Sequence, residues 1–153
     1  MSLLKPIVAV LGITLLSACA NSLQINEAVY EEIGSVTVSV NKSRPAQLFQ
    51  QEFERMVTLN GKQKPRYRLE TELTSNRGTN TMVVTVSYNL YDPETGKFLT
   101  SNKFSSSASI GGVTSSFGSD QVAIHARERL SRNLAQKTYN KLLVFFNRRQ
   151  DPS

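Results

Sequence analysis

Val36, Val38 and Val40 alternate with Thr37 and Ser39, the period-two pattern of a strand with one face in a core. The period then lengthens. Ser43 stands where a helix is capped and Pro45 lies in the first turn; Leu48, Phe49, Phe53, Met56 and Val57 then recur at helical spacing until Asn60-Gly61 stops them. After the basic linker Lys62 to Pro65, Tyr67, Leu69, Thr71 and Leu73 alternate with Arg66, Arg68, Glu70 and Glu72, which predicts a second strand with a charged outer face. Thr74 to Asn80 carries Asn76 and Gly78 and turns the chain into another alternating run, Met82, Val84, Val86, Tyr88 and Leu90. These two strands should pair as a hairpin. In Asp92 to Gly96, Pro93 presets φ and Gly96 allows φ > 0, so Phe98 to Ile110 should return as a further strand of the meander.

Ser105 to Ser119 is rich in serine and glycine, with Ile110, Val113 and Phe117 its main apolar residues, and reads either as a loop or as a frayed strand end. Ser119 and Asp120 make a good helix start, after which Ala123, Leu130, Leu134, Thr138, Leu142 and Phe145 form a stripe at three-to-four spacing. Arg148 and Arg149 suit the negative end of that helix dipole, and residues 150–153 read as a disordered tail. The predicted order is strand, helix, three strands, helix: an α+β, two-layer sandwich in which two helices cover one face of a four-stranded mixed sheet. One domain over residues 35–149 accommodates all of it, with no internal repeat.

The amino terminus follows other rules. Lys5, the apolar run Ile7 to Leu16 and the small residues Ser17 and Ala18 have signal-peptide architecture, and the run is well short of the roughly 20 residues that cross a bilayer as a helix. Leu16-Ser17-Ala18-Cys19 resembles the lipobox of bacterial lipoproteins, in which the cysteine thiol is acylated and becomes the first residue of the mature protein. Residues 1–18 are then removed, and residues 19–34, which show no clear periodicity, should be a lipidated tether. The protein would be anchored to a membrane rather than span it. Ala20 and Asn21 stand where an Asp commonly retains lipoproteins at the inner membrane, so an outer-membrane location, with the body in the periplasm, is expected.

Cys19 is the sole cysteine, so its acylation leaves no thiol for a disulfide or a thiolate metal site. The formal net charge of +6 and pI near 9.7 would suit nucleic acid, but an exported lipoprotein does not meet nucleic acid. Phosphates of anionic lipid or glycolipid become the expected counterpart. Catalytic sets are lacking in the pattern. His125 is the single histidine and has no carboxylate at ligand spacing; the serines of 105–119 have no G-x-S-x-G setting; Gly111-Gly112 lacks the strand-to-helix context of a phosphate loop. Glu70 and Glu72 face the same way but alternate with Arg66 and Arg68, as in a solvated charged face. Neither enzymatic activity nor a cofactor is expected.

Taken in order, the segments resemble the lipopolysaccharide-assembly lipoprotein family LptE. The resemblance lies in the lipobox Cys19, the strand Val36 to Val40, a helix opening with Arg44 and Gln47 ahead of Leu48, and the strand Tyr67 to Leu73. It continues through Val86 to Asp92 with Thr95-Gly96-Lys97 and a helix carrying Ala123, Ala126, Arg127, Leu134 and Ala135. The likeness departs directly after the cysteine, where many members have Phe-x-Pro-Leu-Tyr and this chain has Ala20 to Gln24. The resemblance implies a non-enzymatic plug and assembly partner of the outer-membrane β-barrel LptD, in contact with lipopolysaccharide. An envelope scaffold lipoprotein that never touches lipopolysaccharide is the alternative.

Lipid A and inner-core phosphates are met best by Arg or Lys near turns, through charge-assisted hydrogen bonds. Lys62, Lys64 and Arg66, in or beside the linker, and Arg77, in the expected hairpin turn, are the candidate contacts. Because Cys19 is the sole thiol, Cys19→Ala should leave the protein unlipidated. Mass spectrometry of the mature amino terminus checks this, and an unmodified Cys19 in the wild type would end the lipoprotein reading.

Overall fold

The computed structural model describes residues 26–112 and 115–150. The signal segment, Cys19, Val113 and residues 151–153 lie outside them. The element order is α1 (Glu27–Gly34), β1 (Val36–Val40), α2 (Arg44–Leu59), β2 (Tyr67–Arg77), β3 (Thr81–Asp92), β4 (Lys97–Ser109) and α3 (Ser116–Gln150). The described strands form one mixed sheet in the order β1-β2-β3-β4. β1 and β2 are parallel, joined through α2, whereas β2, β3 and β4 form the expected antiparallel meander.

The alternation in the sequence fixes the register. Tyr67, Leu69, Thr71 and Leu73 of β2 lie on the same side as Met82, Val84, Val86, Tyr88 and Leu90 of β3, and all are buried. A one-residue slip would turn every one of them to water. β4 pairs with β3 from Lys97 to Ser109 with a bulge beside Leu90 and Tyr91. The serine-rich stretch is therefore strand as far as Ser109, not loop.

α2 starts as its sequence predicts: the Ser43 hydroxyl accepts a hydrogen bond from the Ala46 amide at 3.4 Å, and Pro45 occupies the first turn. Its Phe49, Phe53 and Val57 enter the core and Met56 is half-buried against it. α2 covers β1 and β2, and α3 covers β3 and β4. The two helices interlock through Phe53 and Tyr139, whose ring centroids are 5.9 Å apart, edge to face. The buried hydroxyls of two α3 residues are satisfied within the helix: Thr138 Oγ1 donates to the Leu134 carbonyl at 2.9 Å and Ser131 Oγ to the Arg127 carbonyl at 2.9 Å, whereas the buried Tyr139 hydroxyl has no partner among the described residues.

Three boundaries differ from expectation. The tether over 19–34 is corrected at its end, because Glu27–Gly34 is a third helix packed on α3, with Val29 and Ile33 fully buried. Eight residues with an i, i+4 apolar pair give too short a period to stand out; Asn26, whose side chain accepts from the Ala28 amide at 3.5 Å, is the capping signal. α3 begins at Ser116 rather than at Ser119, because Ser115 caps it, its hydroxyl accepting from the Gly118 amide at 3.1 Å while Asp120 is engaged by Arg77, and it runs through Gln150. Finally, the α3 stripe ends in Phe146, which is 1% exposed, while Phe145 is half-buried beside it.

The loop after α2 closes on α1. Gln63 N–H donates to the Gly34 carbonyl at 3.0 Å and Arg66 N–H to the Ser35 carbonyl at 2.9 Å. A Cβ on Gly34 would collide with the carbonyl oxygen of Gly61, so glycine is required there by backbone approach.

Leu134 is fully buried beneath the sheet. Truncation to Ala removes those contacts and leaves a cavity, so Leu134→Ala should cost about 2–5 kcal/mol in denaturant unfolding. An unchanged unfolding midpoint would show that the α3 stripe is not core.

Candidate functional site

The sequence-predicted cations do not converge. Lys62, Lys64 and Arg66 precede β2, whereas Arg77 is the last residue of β2. Eleven residues of strand separate those ends by about 35 Å. Arg77 borders the hairpin turn as expected, but its guanidinium is engaged: Nη1 meets Asp120 Oδ1 at 2.6 Å and Nη2 donates to Ser119 Oγ at 2.7 Å, fastening β2 to the first turns of α3. Such a half-exposed pair contributes little energy but fixes geometry.

At the other end, Arg66 Nη1 lies 3.1 Å from Glu32 Oε1, and its guanidinium sits 5.3 Å from the Tyr67 ring centroid. Lys64 and Arg66 line a cleft of about 400 Å³ together with Glu31 and Glu32, so carboxylates already face the cations there. Lys62 is exposed outside that cleft. Burial, with the Glu32 carboxylate beside it, pushes the Tyr67 phenol up to about 12; burial also raises the phenols of Tyr88 and Tyr139.

Because the three described helices lie on one side, the other face of the sheet is open. Across β3 and β4 it presents Val83, Thr85, Ser87, Ser105 and Ser107, with the Thr85 and Ser105 hydroxyls 2.8 Å apart. Phe98 is 52% exposed beside Tyr91, with ring centroids 5.8 Å apart. Across β2 the same face carries Arg68 and Glu70, paired at 3.1 Å. The surface is polar and nearly uncharged at its β4 side.

A concavity lies elsewhere, where β4 meets α3. A cleft of about 540 Å³ is lined by Phe104 and Ser105 from β4 and by Lys137, Asn140, Lys141 and Val144 from α3. A second, of about 450 Å³, continues it along Ser106, Ser107, Arg129 and Asn133, and the two share Ser105 and Lys137. Lys137 Nζ donates to Ser106 Oγ at 2.8 Å, and Ser106 Oγ donates to Asn133 Oδ1 at 3.3 Å. Read along the sequence, these residues look like the solvated face of a long helix. The signal that marks them is spacing: 129, 133, 137, 141 and 144 share one helical face that contains no acidic residue.

His125 is exposed on α3, and among the described residues no group of three or more histidines, cysteines or carboxylates could hold a metal ion. No described helix is long and apolar enough to cross a membrane.

No family model and no curated protein matches the chain. Solved structures do. A candidate lipoprotein from Caulobacter crescentus CB15 superposes with a TM-score of 0.65 at 15% identity, covering 79% of this chain and 98% of that one. A minor lipoprotein from Acinetobacter baumannii gives 0.60 at 15% identity, covering 71% and 90%. A Xanthomonas campestris protein of family DUF330 gives 0.51 at 10% identity, covering 76% and 84%. The chain thus has a fold found in bacterial lipoproteins.

The raised phenols give an alkaline signature. A group whose pKa is higher folded than unfolded contributes stability that is intact below the unfolded value and lost as pH climbs through the folded one. Stability should fall between about pH 10 and pH 12, and Tyr67→Phe should shrink that loss. Denaturant titrations at stepped pH check it; an unaltered alkaline limb in Tyr67→Phe would place the loss on other groups.

Proposed function

We propose that this chain is a lipid-anchored envelope protein that acts by binding rather than catalysis, as plug and assembly partner of the lipopolysaccharide-assembly barrel LptD at the outer membrane. The observation that carries the reading is the open sheet face. A broad surface of Thr and Ser side chains, with exposed Phe98 against half-buried Tyr91, suits burial against a polar barrel lumen, where hydroxyls can exchange water for partner hydrogen bonds. The lipobox at Cys19 and the ordered likeness to LptE support the same partner. Lys62, Lys64, Arg66 and Arg77 are the proposed contacts to lipopolysaccharide phosphates; their separation makes them two contact points rather than one pocket.

A second reading is an envelope scaffold that binds no lipopolysaccharide. It is favoured by the carboxylates that already face Lys64 and Arg66.

Pull-down from detergent-solubilised outer membranes separates the two. The first reading expects a stoichiometric large barrel, loss of assembled barrel on depletion, and sensitivity to large hydrophobic antibiotics. Normal barrel levels and an intact permeability barrier would overturn it. Lipopolysaccharide binding through the four cations should weaken as salt rises, because the screening length falls from about 10 Å at 0.1 M to about 3 Å at 1 M. It should weaken further in the joint Lys64→Ala, Arg77→Ala variant.

A further inference from the structure

β4 is the outermost strand of the sheet, and its far edge has no strand beside it among the described residues. Which of its backbone groups face that edge follows from the register. β3 and β4 pair so that Thr81 is opposite Ser109 and Val86 opposite Phe104, and the Ile110 amide continues the ladder to the Asn80 carbonyl at 2.9 Å. In an antiparallel pair, alternate residues spend both backbone groups on the neighbouring strand and the intervening ones point both away. Residues 102, 104, 106, 108 and 110 are thus tied to β3, and Lys103, Ser105, Ser107 and Ser109 direct N–H and C=O to the free edge. An independent contact agrees: the Lys103 amide is occupied by the Asn102 side-chain oxygen at 2.8 Å, as an outward amide would be.

This edge lacks most of the usual protection. Exposed edges are commonly blunted by shortness, proline or several charges. β4 is 13 residues long, contains no proline, and from Phe104 to Ser109 has no charged side chain. The α3 side of the cleft below that edge supplies Arg129, Lys137 and Lys141, none of which is in an ion pair among the described residues, while the lining contains no carboxylate.

We propose that the cleft receives an extended segment of a partner protein that adds to the sheet as a strand beside β4 and presents acidic side chains to Arg129, Lys137 and Lys141. Backbone hydrogen bonds to the free edge supply generic affinity, and the cations select the sequence. Along α3, Arg129 and Lys137 are about 12 Å apart and Lys137 and Lys141 about 6 Å apart, at 1.5 Å per residue. Side chains on one face of a strand recur about every 6.7 Å. The partner's carboxylates therefore belong on one face of the added strand, two steps apart and then one.

Charge decides the occupant. A second copy pairing through β4 would bring its own Arg129, Lys137 and Lys141 towards these, which disfavours self-association. Residues 1–25 contain no Asp or Glu, so that part of the chain does not match the cleft either. The proposal rests on β4 and α3 and is independent of the barrel reading.

The test uses the full-length lipidated protein in detergent and a labelled synthetic peptide alternating valine with glutamate over about nine residues, enough to span the cleft at about 3.3 Å per residue. Fluorescence anisotropy should show binding that is at least tenfold weaker when lysine replaces glutamate, and at least tenfold weaker in the Lys137→Glu, Lys141→Glu variant. Ser107→Pro removes an edge-facing amide while sparing the β3 ladder, so it should abolish strand addition with the fold retained. In unaltered protein, hydrogen exchange of the Ser105 and Ser107 amides should slow at least tenfold on peptide binding, a readout that survives if the proline variant misfolds. Binding without that protection would reduce the cleft to a simple electrostatic surface and overturn the proposal. Self-association protecting the same amides in place of peptide binding would overturn the chosen occupant.

Discussion

A sheet whose strands are apolar on one face must hide that face, and here every described helix is spent on doing so. β2 and β3 put Tyr67, Leu69, Leu73, Met82, Val84, Val86 and Leu90 on one side. α2 and α3 cover that side, α1 seals α3, and nothing remains for the other face. Burial of apolar area at about 25 cal/mol per Å² is the dominant favourable contribution in such a domain, so the one-sided pattern dictates the architecture and the exposed polar face together. The topology adds a second asymmetry. Because α2 returns the chain to a parallel neighbour while the later strands follow tight turns, β4 is left at the margin of the sheet, overhung by the longest helix.

Electrostatics divides this molecule by region rather than by total. Several arginines are answered locally: Arg44 by Glu128, Arg55 by Glu52, Arg66 by Glu32, Arg68 by Glu70 and Arg77 by Asp120. Such exposed pairs contribute about 0–1 kcal/mol each and matter more for holding side chains in place than for stability. Among the described residues Arg129, Lys137 and Lys141 have no such answer, and they share one helix face. The formal charge of +6 is thus concentrated in effect along α3, where the sequence alone shows an ordinary amphipathic exterior.

Much of the fold was legible because its elements obey simple periods. The alternation in β2 and β3 and the capped, proline-led start of α2 are local signals, and tertiary packing left them intact. α1 was not legible. Val29 and Ile33 are too few for a period, and their burial depends on α3, which lies far along the chain. The serine-rich half of β4 was ambiguous for a related reason: its pairing with β3, not its own side chains, makes it a strand. The site was less legible still. Arg77 looked like a turn residue but is tied to Asp120, and the cations beside β4 gain meaning from the strand edge above them.

Burial of α1 also fixes where the amino-terminal chain joins the body. With Val29 and Ile33 fixed in the core, the described body starts at the Asn26 cap, and the first turn of α1 lies at the end of the sheet that carries Glu32 and Arg66, beside which Ala28 lines the same cleft. The Arg77 end lies about 35 Å further along β2, so the two ends of the body are not equivalent with respect to the chain that enters at Asn26.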